Sequence, residues 1–436
     1  MDLGTGRAAT GTSRAARAAA VASLAALLAA CGAAGTSPAT RSSASRSSPT
    51  TSAAAPAPLA SNPGSAAPRA PSPPALRQVA FFDAERGYGL FEQSSGAGDS
   101  CRELVGRTTD GGAVFSSLAP VTSGPCGSAS GVSGISFSDH GDGFAYGPAL
   151  YASHDGGGSW AAVPEPGPVL DVVPLGSSVW MVTAACPAGA SAAATCELRL
   201  SQSGDGGRSW QPSPVQPPVR TYVGSTRLEP AQGQSWLVRT GVDRAYVVGS
   251  PALPSTGAPD SAPLAWTDDG GASWSTGRVP CAIPALSVVL SAAPGGALVA
   301  VCAGEPSAGF QAKSTSVSTD GGRTWSVRGP CRAGSVCPSS PLTGGYLASV
   351  AALSATTVFE IGLRGGLDET TDGGRTWTGR LDPGAVDGTP AQVVFFDAQD
   401  GLVLGSADSA TAPVTIWHTV DGGASWAAVV PTVGGT

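Results

Sequence analysis

Seven copies of one eight-residue motif constrain this chain more than its length or composition does. They read TTDGGAVF (108–115), SHDGGGSW (153–160), SGDGGRSW (203–210), TDDGGASW (267–274), STDGGRTW (318–325), TTDGGRTW (370–377) and TVDGGASW (419–426). Their aspartates are Asp110, Asp155, Asp205, Asp269, Asp320, Asp372 and Asp421, spaced 45, 50, 64, 51, 52 and 49 residues apart. An acid, hydroxyls, glycines and an aromatic in so short a stretch could make a catalytic loop. An enzyme seldom needs that loop seven times, whereas a period of about 40–50 residues is the signature of a propeller or solenoid.

The motif has the chemistry of a hairpin turn. Its aspartate can accept hydrogen bonds from backbone N–H groups further along. Its glycines permit φ > 0, where a β-carbon would clash. Its closing tryptophan (Trp160, Trp210, Trp274, Trp325, Trp377, Trp426) starts a strand and can tuck its ring under the turn. A second motif lies upstream of three copies: FFDAERGYGLF (81–91), FSDHGDGFAYG (137–147) and FFDAQDGLVLG (395–405). Repeat six keeps only TTVFEIG (356–362). Aspartate and glycine between apolar runs read as a hairpin. Each repeat is therefore four short antiparallel strands, A to D, with the DGG box joining C to D. The box aspartates and tryptophans are structural staples on this reading.

The boxes resemble the Asp-box, or bacterial neuraminidase repeat, S/T-x-D-x-G-x-x-W. Their pairing with an upstream F-x-D hairpin is similar to the repeats of the photosystem II stability/assembly factor-like propellers. The resemblance runs from about Gln78 to Pro431. It implies an all-β chain: a seven-bladed β-propeller of four-stranded antiparallel blades. Because each repeat runs A to D, no strand exchange is expected to lock the ring. The first and last blades should meet by packing.

The N-terminus reads as a targeting segment. Arg7, Arg14 and Arg17 precede an apolar run, 18–30, that is too short to span a bilayer. It ends in Leu28-Ala29-Ala30-Cys31-Gly32, which resembles a lipobox. The expectation is a bacterial lipoprotein precursor: signal peptide 1–30, lipidated Cys31, a disordered tether over 31–77 and the propeller over 78–436. The Ala/Ser/Pro/Thr-rich tether has too few large apolar side chains to offset its chain entropy. As a coil its reach is about 35–40 Å. The expected location is the outer face of the cell membrane.

Charge narrows the partners. The formal charge is −7 and Lys313 is the only lysine, so no basic stripe marks a nucleic-acid binder. Eight further cysteines remain in an exported chain: Cys101, Cys126, Cys186, Cys196, Cys281, Cys302, Cys331 and Cys337. An even count favours disulfides over metal sites, and the three histidines show no ligand spacing. Pairing between sequence neighbours is the simplest of many connectivities. No metal or cofactor is expected, and the domain is expected to be a monomer.

The connections are unequal. A–B and C–D turns fall on one end of a propeller, B–C and D–A connections on the other. Gln211–Gln234 and Gly329–Gly345 read as long D–A connections. Ser250–Ala262, Ala303–Lys313 and the Cys186–Cys196 bracket read as B–C loops. All eight cysteines fall in or beside these connections. Insertions on one end of a repeat array often mark its binding side. The candidate residues there are Arg220, Tyr222, Arg227, Glu229 and Arg332.

Sialidases also carry Asp-boxes, so a glycan-binding protein or a sialidase-like hydrolase is the alternative. Their F/Y-R-I-P motif is absent, and they have six blades. The adjacent acids Asp268–Asp269 and Asp368–Glu369 are neighbours in sequence, whereas a glycosidase pair must converge from separate elements. The leading reading is a non-catalytic binding or assembly module for an envelope protein, with no catalytic residue assigned.

Overall fold

The computed structural model describes residues 71–95, 100–125, 132–165, 167–187, 195–222, 235–251, 261–307, 310–328, 345–363, 366–381, 389–406 and 414–434. The predicted signal peptide, Cys31 and most of the predicted tether lie outside these residues. The described residues contain no α-helix, and their strands form seven sheets, each built on four antiparallel strands in chain order, two of them with an added fifth strand. This is a seven-bladed β-propeller. The first strand starts at Ala75, just before the boundary read from the sequence.

Strand A of each blade faces the centre. These strands are Ala75–Phe81, Gly134–Phe137, Val169–Leu175, Leu237–Arg239, Ser287–Ala292, Tyr346–Ala352 and Thr389–Phe395. Successive blades are joined there by side chains that reach a neighbour's backbone. Gln78 Oε1 accepts from Ile135 N (2.8 Å), and Asp171 Oδ2 from Leu237 N (3.2 Å). Ser235 Oγ accepts from Leu290 N, and Ser291 Oγ from Ala352 N. Ser349 Oγ donates to Val393 O, and Gln392 Nε2 donates to Val79 O.

Strand B is sandwiched by the blades on both sides, which explains its unbroken apolar runs. Ser178–Ala185 reads SVWMVTAA, and all six residues from Val179 to Ala184 are buried. Strand D lies at the rim and is short and largely exposed in most blades, as in Ala161–Val163 and Ala427–Val429, whereas in blade 1 it runs from Val114 to Pro125. Seven apolar clusters fill the seven gaps between blades.

Ring closure departs from the expectation. The apolar contact between last and first blades is present: Leu402, Leu404 and Ile416 pack with Leu76, Phe91 and Phe115. In addition, Thr432–Val433 leaves the last blade and pairs in parallel with Val114–Phe115, adding a fifth strand to blade 1. Thr432 N and Oγ1 both donate to Ala113 O at 2.9 Å. His418 Nε2 lies 2.7 Å from Gly111 O across the same joint.

Two connections also differ. Ala303–Lys313, read as a loop, is mostly strand: Leu298–Ser307 and Phe310–Ser318 run on as a hairpin through a bulge. Within Gln211–Gln234, Gln211–Pro212 and Arg220–Tyr222 both pair with Thr195–Ser203 as two pieces of a broken outer strand.

Candidate functional site

The seven boxes are built alike. In the fifth, the buried Ser318 hydroxyl donates to Asp320 Oδ1 (2.9 Å) and accepts from Gly322 N (2.8 Å). Asp320 Oδ1 also accepts from Thr324 N (2.9 Å), and Oδ2 from Thr324 Oγ1 (2.6 Å). Asp155, Asp205, Asp269, Asp372 and Asp421 repeat this pattern with Ser159, Ser209, Ser273, Thr376 and Ser425. Asp110 lacks the last bond because Val114 stands where the others have a hydroxyl. Hydrogen bonds from Ser159, Ser273, Thr324 and Ser425 hold Asp155, Asp269, Asp320 and Asp421 at about 2, below the usual carboxylate range. Every box acid is thus engaged by its own turn.

Both box glycines take positive φ, 74° and 84° for Gly321 and Gly322. In six blades the first glycine's N–H bonds the A–B turn of the same blade, as Gly111 does to Glu85 O and Gly422 to Gln399 O, both at 2.9 Å. Boxes and A–B turns therefore share one end of the ring. The second glycine meets the preceding blade. A β-carbon on Gly112 would sit 2.5 Å from Ile416, and one on Gly423 2.6 Å from Phe359. The box tryptophan fills the same gap. Trp210 packs on Phe144 of blade 2, and the buried Trp377 joins the cluster shared with blade 5. A box therefore closes its own hairpin and also docks its blade onto the neighbour.

A cavity of about 620 Å³ opens at this same end, where the inner strands of blades 4 to 7 finish. Its charged lining consists of Arg239, Arg244 and Asp397. Arg239 is a clamp rather than a free cation. It donates to Val173 O, Ser178 O, Ser178 Oγ and Val242 O at 2.8–3.1 Å and lies over the Trp180 ring at 4.7 Å. Burial lowers it to about 10. Arg244 Nε bonds Asp268 Oδ1 (2.5 Å), and Arg323 reaches the other oxygen of that carboxylate at 3.3 Å. No tyrosine or glutamate lines the cavity among the described residues.

The acids singled out as pairs do not converge. Asp269 serves its box, while Asp268 holds two arginines at the surface. Asp368 and Glu369 point to opposite faces of one strand. Both are buried, and Glu369 pairs with Arg380. The tyrosine–acid contact that does exist is hidden: Tyr146 OH lies 3.5 Å from Asp171 in the gap between blades 2 and 3. Burial raises Asp171 to about 7 and Tyr146 well above its ordinary value.

At the other end, Arg220 is exposed beside Glu197, which also pairs with Arg199. This is a charged strip on the rim of blade 3. The backbone of Tyr222 belongs to the same strand. Arg227, Glu229, Arg332, Cys126, Cys331 and Cys337 lie outside the described residues. Cys186 is bonded to Cys196 across strands B and C of blade 3. Cys281 is bonded to Cys302, and Cys101 is also disulfide-bonded. Cys302 sits within strand B of blade 5 rather than beside a loop, so its bond fastens that blade to the chain leaving blade 4. The described residues hold no cluster of metal ligands.

No protein-family model and no curated protein sequence matches the chain. Among solved structures it is similar to YCF48 bound to D1 peptide, at 19% identity over 81% of this chain and 95% of that one, with a TM-score of 0.49. It is likewise similar to YCF48 from Cyanidioschyzon merolae, at 17% identity over 80% and 95%, with a TM-score of 0.47. An ancestral GH74 enzyme aligns at 12% identity over 81% of this chain and 46% of that one, with a TM-score of 0.46. At these identities the likeness is one of fold, and none of these proteins' activities passes to this chain.

Proposed function

We propose that this chain is an exported, lipid-anchored Asp-box propeller that binds an envelope protein without catalysis. One observation carries the non-catalytic part. The mouth cavity, where a glycosidase would gather its catalytic groups, is lined among the described residues by two arginines and one aspartate, with no tyrosine or glutamate. The box acids cannot substitute, because each is held by its own turn. Disulfides within and between blades fit an oxidising compartment. Cys31 would hold the chain to the membrane, and the tether would let the ring reach its partner. The partner docks on the end bearing the B–C and D–A connections, over Arg220, Tyr222, Arg227, Glu229 and Arg332. A rigid ring limits the entropy lost on docking.

Two experiments test this reading. Cys31→Ala should move the protein from the membrane pellet to the soluble fraction; retention in the pellet contradicts anchoring. The purified domain should leave sialyl and other glycosides intact. Turnover abolished by one central Tyr or Glu substitution would favour the sialidase-like alternative.

A further inference from the structure

The gap between blades 5 and 6 holds charged side chains that no binding role uses. Lys313 Nζ lies 2.5 Å from Glu360 Oε1, and both side chains are 1% exposed. Lys313 is on strand C of blade 5, opposite Ala303. Glu360 is on strand B of blade 6. Directly across from it on strand C stands Asp368, also 1% exposed. Directly opposed residues of an antiparallel pair share a face, with β-carbons about 5 Å apart. The surroundings are apolar: Val301, Ala303, Leu347 and Val358 belong to the cluster in this gap. Gln311, next on the same face of the strand, is tied to Leu347 N and Gly304 O.

Residue choice is the second clue. Lys313 is the chain's only lysine, and arginine stands at the other 23 of its 24 Lys/Arg positions. Arginine is the usual residue for a buried ion pair, because its fork matches a carboxylate. Lysine differs in that its amine can lose a proton and act as a nucleophile. Lys313, Glu360 and Asp368 are thus three ionisable side chains buried in one apolar gap, where taking ions out of water is costly. Transfer of one proton across the 2.5 Å contact gives an amine against a carboxylic acid. Those species, held in contact, are the reactants of an amide condensation.

We infer that Lys313 and Glu360 join in an intramolecular isopeptide bond that fastens blade 5 to blade 6. The amine lone pair of Lys313 attacks Glu360 Cδ. Asp368 takes the proton from the attacking nitrogen and delivers it to the departing hydroxyl. A C–N bond forms, a C–O bond breaks and one water leaves. Nothing is oxidised or reduced, so no co-reactant is needed.

A peptide map of the full chain tests this. The purified protein is reduced, alkylated, denatured and digested with trypsin, which cuts after arginine and free lysine. The linked protein should give residues 279–323 uncut at Lys313 and joined to residues 333–364, lighter by one water than the two peptides together. Lys313→Arg should release both peptides unlinked, and Asp368→Asn should lower the linked fraction at least several-fold. Recovery of 279–313 and 314–323 as free peptides from folded wild-type protein overturns the inference, whether or not either variant folds. Linkage to residues 365–375, which carry Asp368, overturns the choice of Glu360. Full linkage in Asp368→Asn overturns the proton-carrier role.

Discussion

The two ends of the ring follow different rules. At the turn end, seven boxes repeat one hydrogen-bonding scheme, and each packs a glycine and an aromatic ring onto the preceding blade. At the connection end the described blades differ: blade 3 carries both a disulfide bracket and a broken rim strand, and blade 5 carries an extended hairpin. Repetition at one end marks a shared mechanical duty, and a duty common to all blades cannot confer specificity for one partner. Individuality at the other end can, which is why the partner is assigned there.

Substitutions should separate the two ends. The largest loss is expected for Trp377→Ala, about 3–5 kcal/mol, because this ring is the most buried of the box tryptophans. Trp325→Ala should cost less, since Trp325 is only partly buried. Denaturant unfolding of both variants checks the order. Thr419→Val removes the hydroxyl that serves both Asp421 and Gly423 N (2.8 Å) and should cost about 1–3 kcal/mol by stranding a buried donor. Arg220→Ala, at the exposed rim, should stay within about 0.5 kcal/mol of wild type. Equal losses at Thr419 and Arg220 would erase the distinction.

Acidity offers a finer probe. Burial first of all raises Glu103 to about 7, and does the same to Asp171. The folded chain then holds protons that the unfolded chain releases, so stability falls as pH rises from about 4 to about 7. The box aspartates act in the opposite sense. Their contribution is complete above the ordinary carboxylate value and is lost as pH falls through about 2. The urea midpoint should therefore peak near about pH 4, and Glu103→Gln should flatten the alkaline side. A midpoint climbing steadily from pH 4 to 7 would contradict the burial argument.

Blade number and box chemistry were legible because each repeat carries the same turn residues at the same offsets. The other features depend on contacts between repeats, which local pattern does not encode. Thr432–Val433 has no counterpart in any repeat, so its pairing with blade 1 left no periodic trace. Ala303–Lys313 reads as a loop because Gly304, Pro306 and Gly309 are turn formers, yet backbone pairing from Pro306 to Gln311 carries the hairpin through. Lys313 looks like a solvated loop charge until Glu360 of the next blade closes over it. Of the proposed binding residues, the structure brings Arg220 and the Tyr222 backbone onto one rim strand and leaves the rest outside the described residues.

Site-specific photo-crosslinking in native membranes tests the assigned binding end most directly. A photoreactive residue is placed at position 220 on the connection end and, in a second protein, at position 323 on the turn end. One discrete adduct is expected from position 220, competed by the purified domain, and none from position 323. An adduct from position 323 alone would contradict this assignment and move the binding surface to the channel mouth beside Arg244 and Asp268.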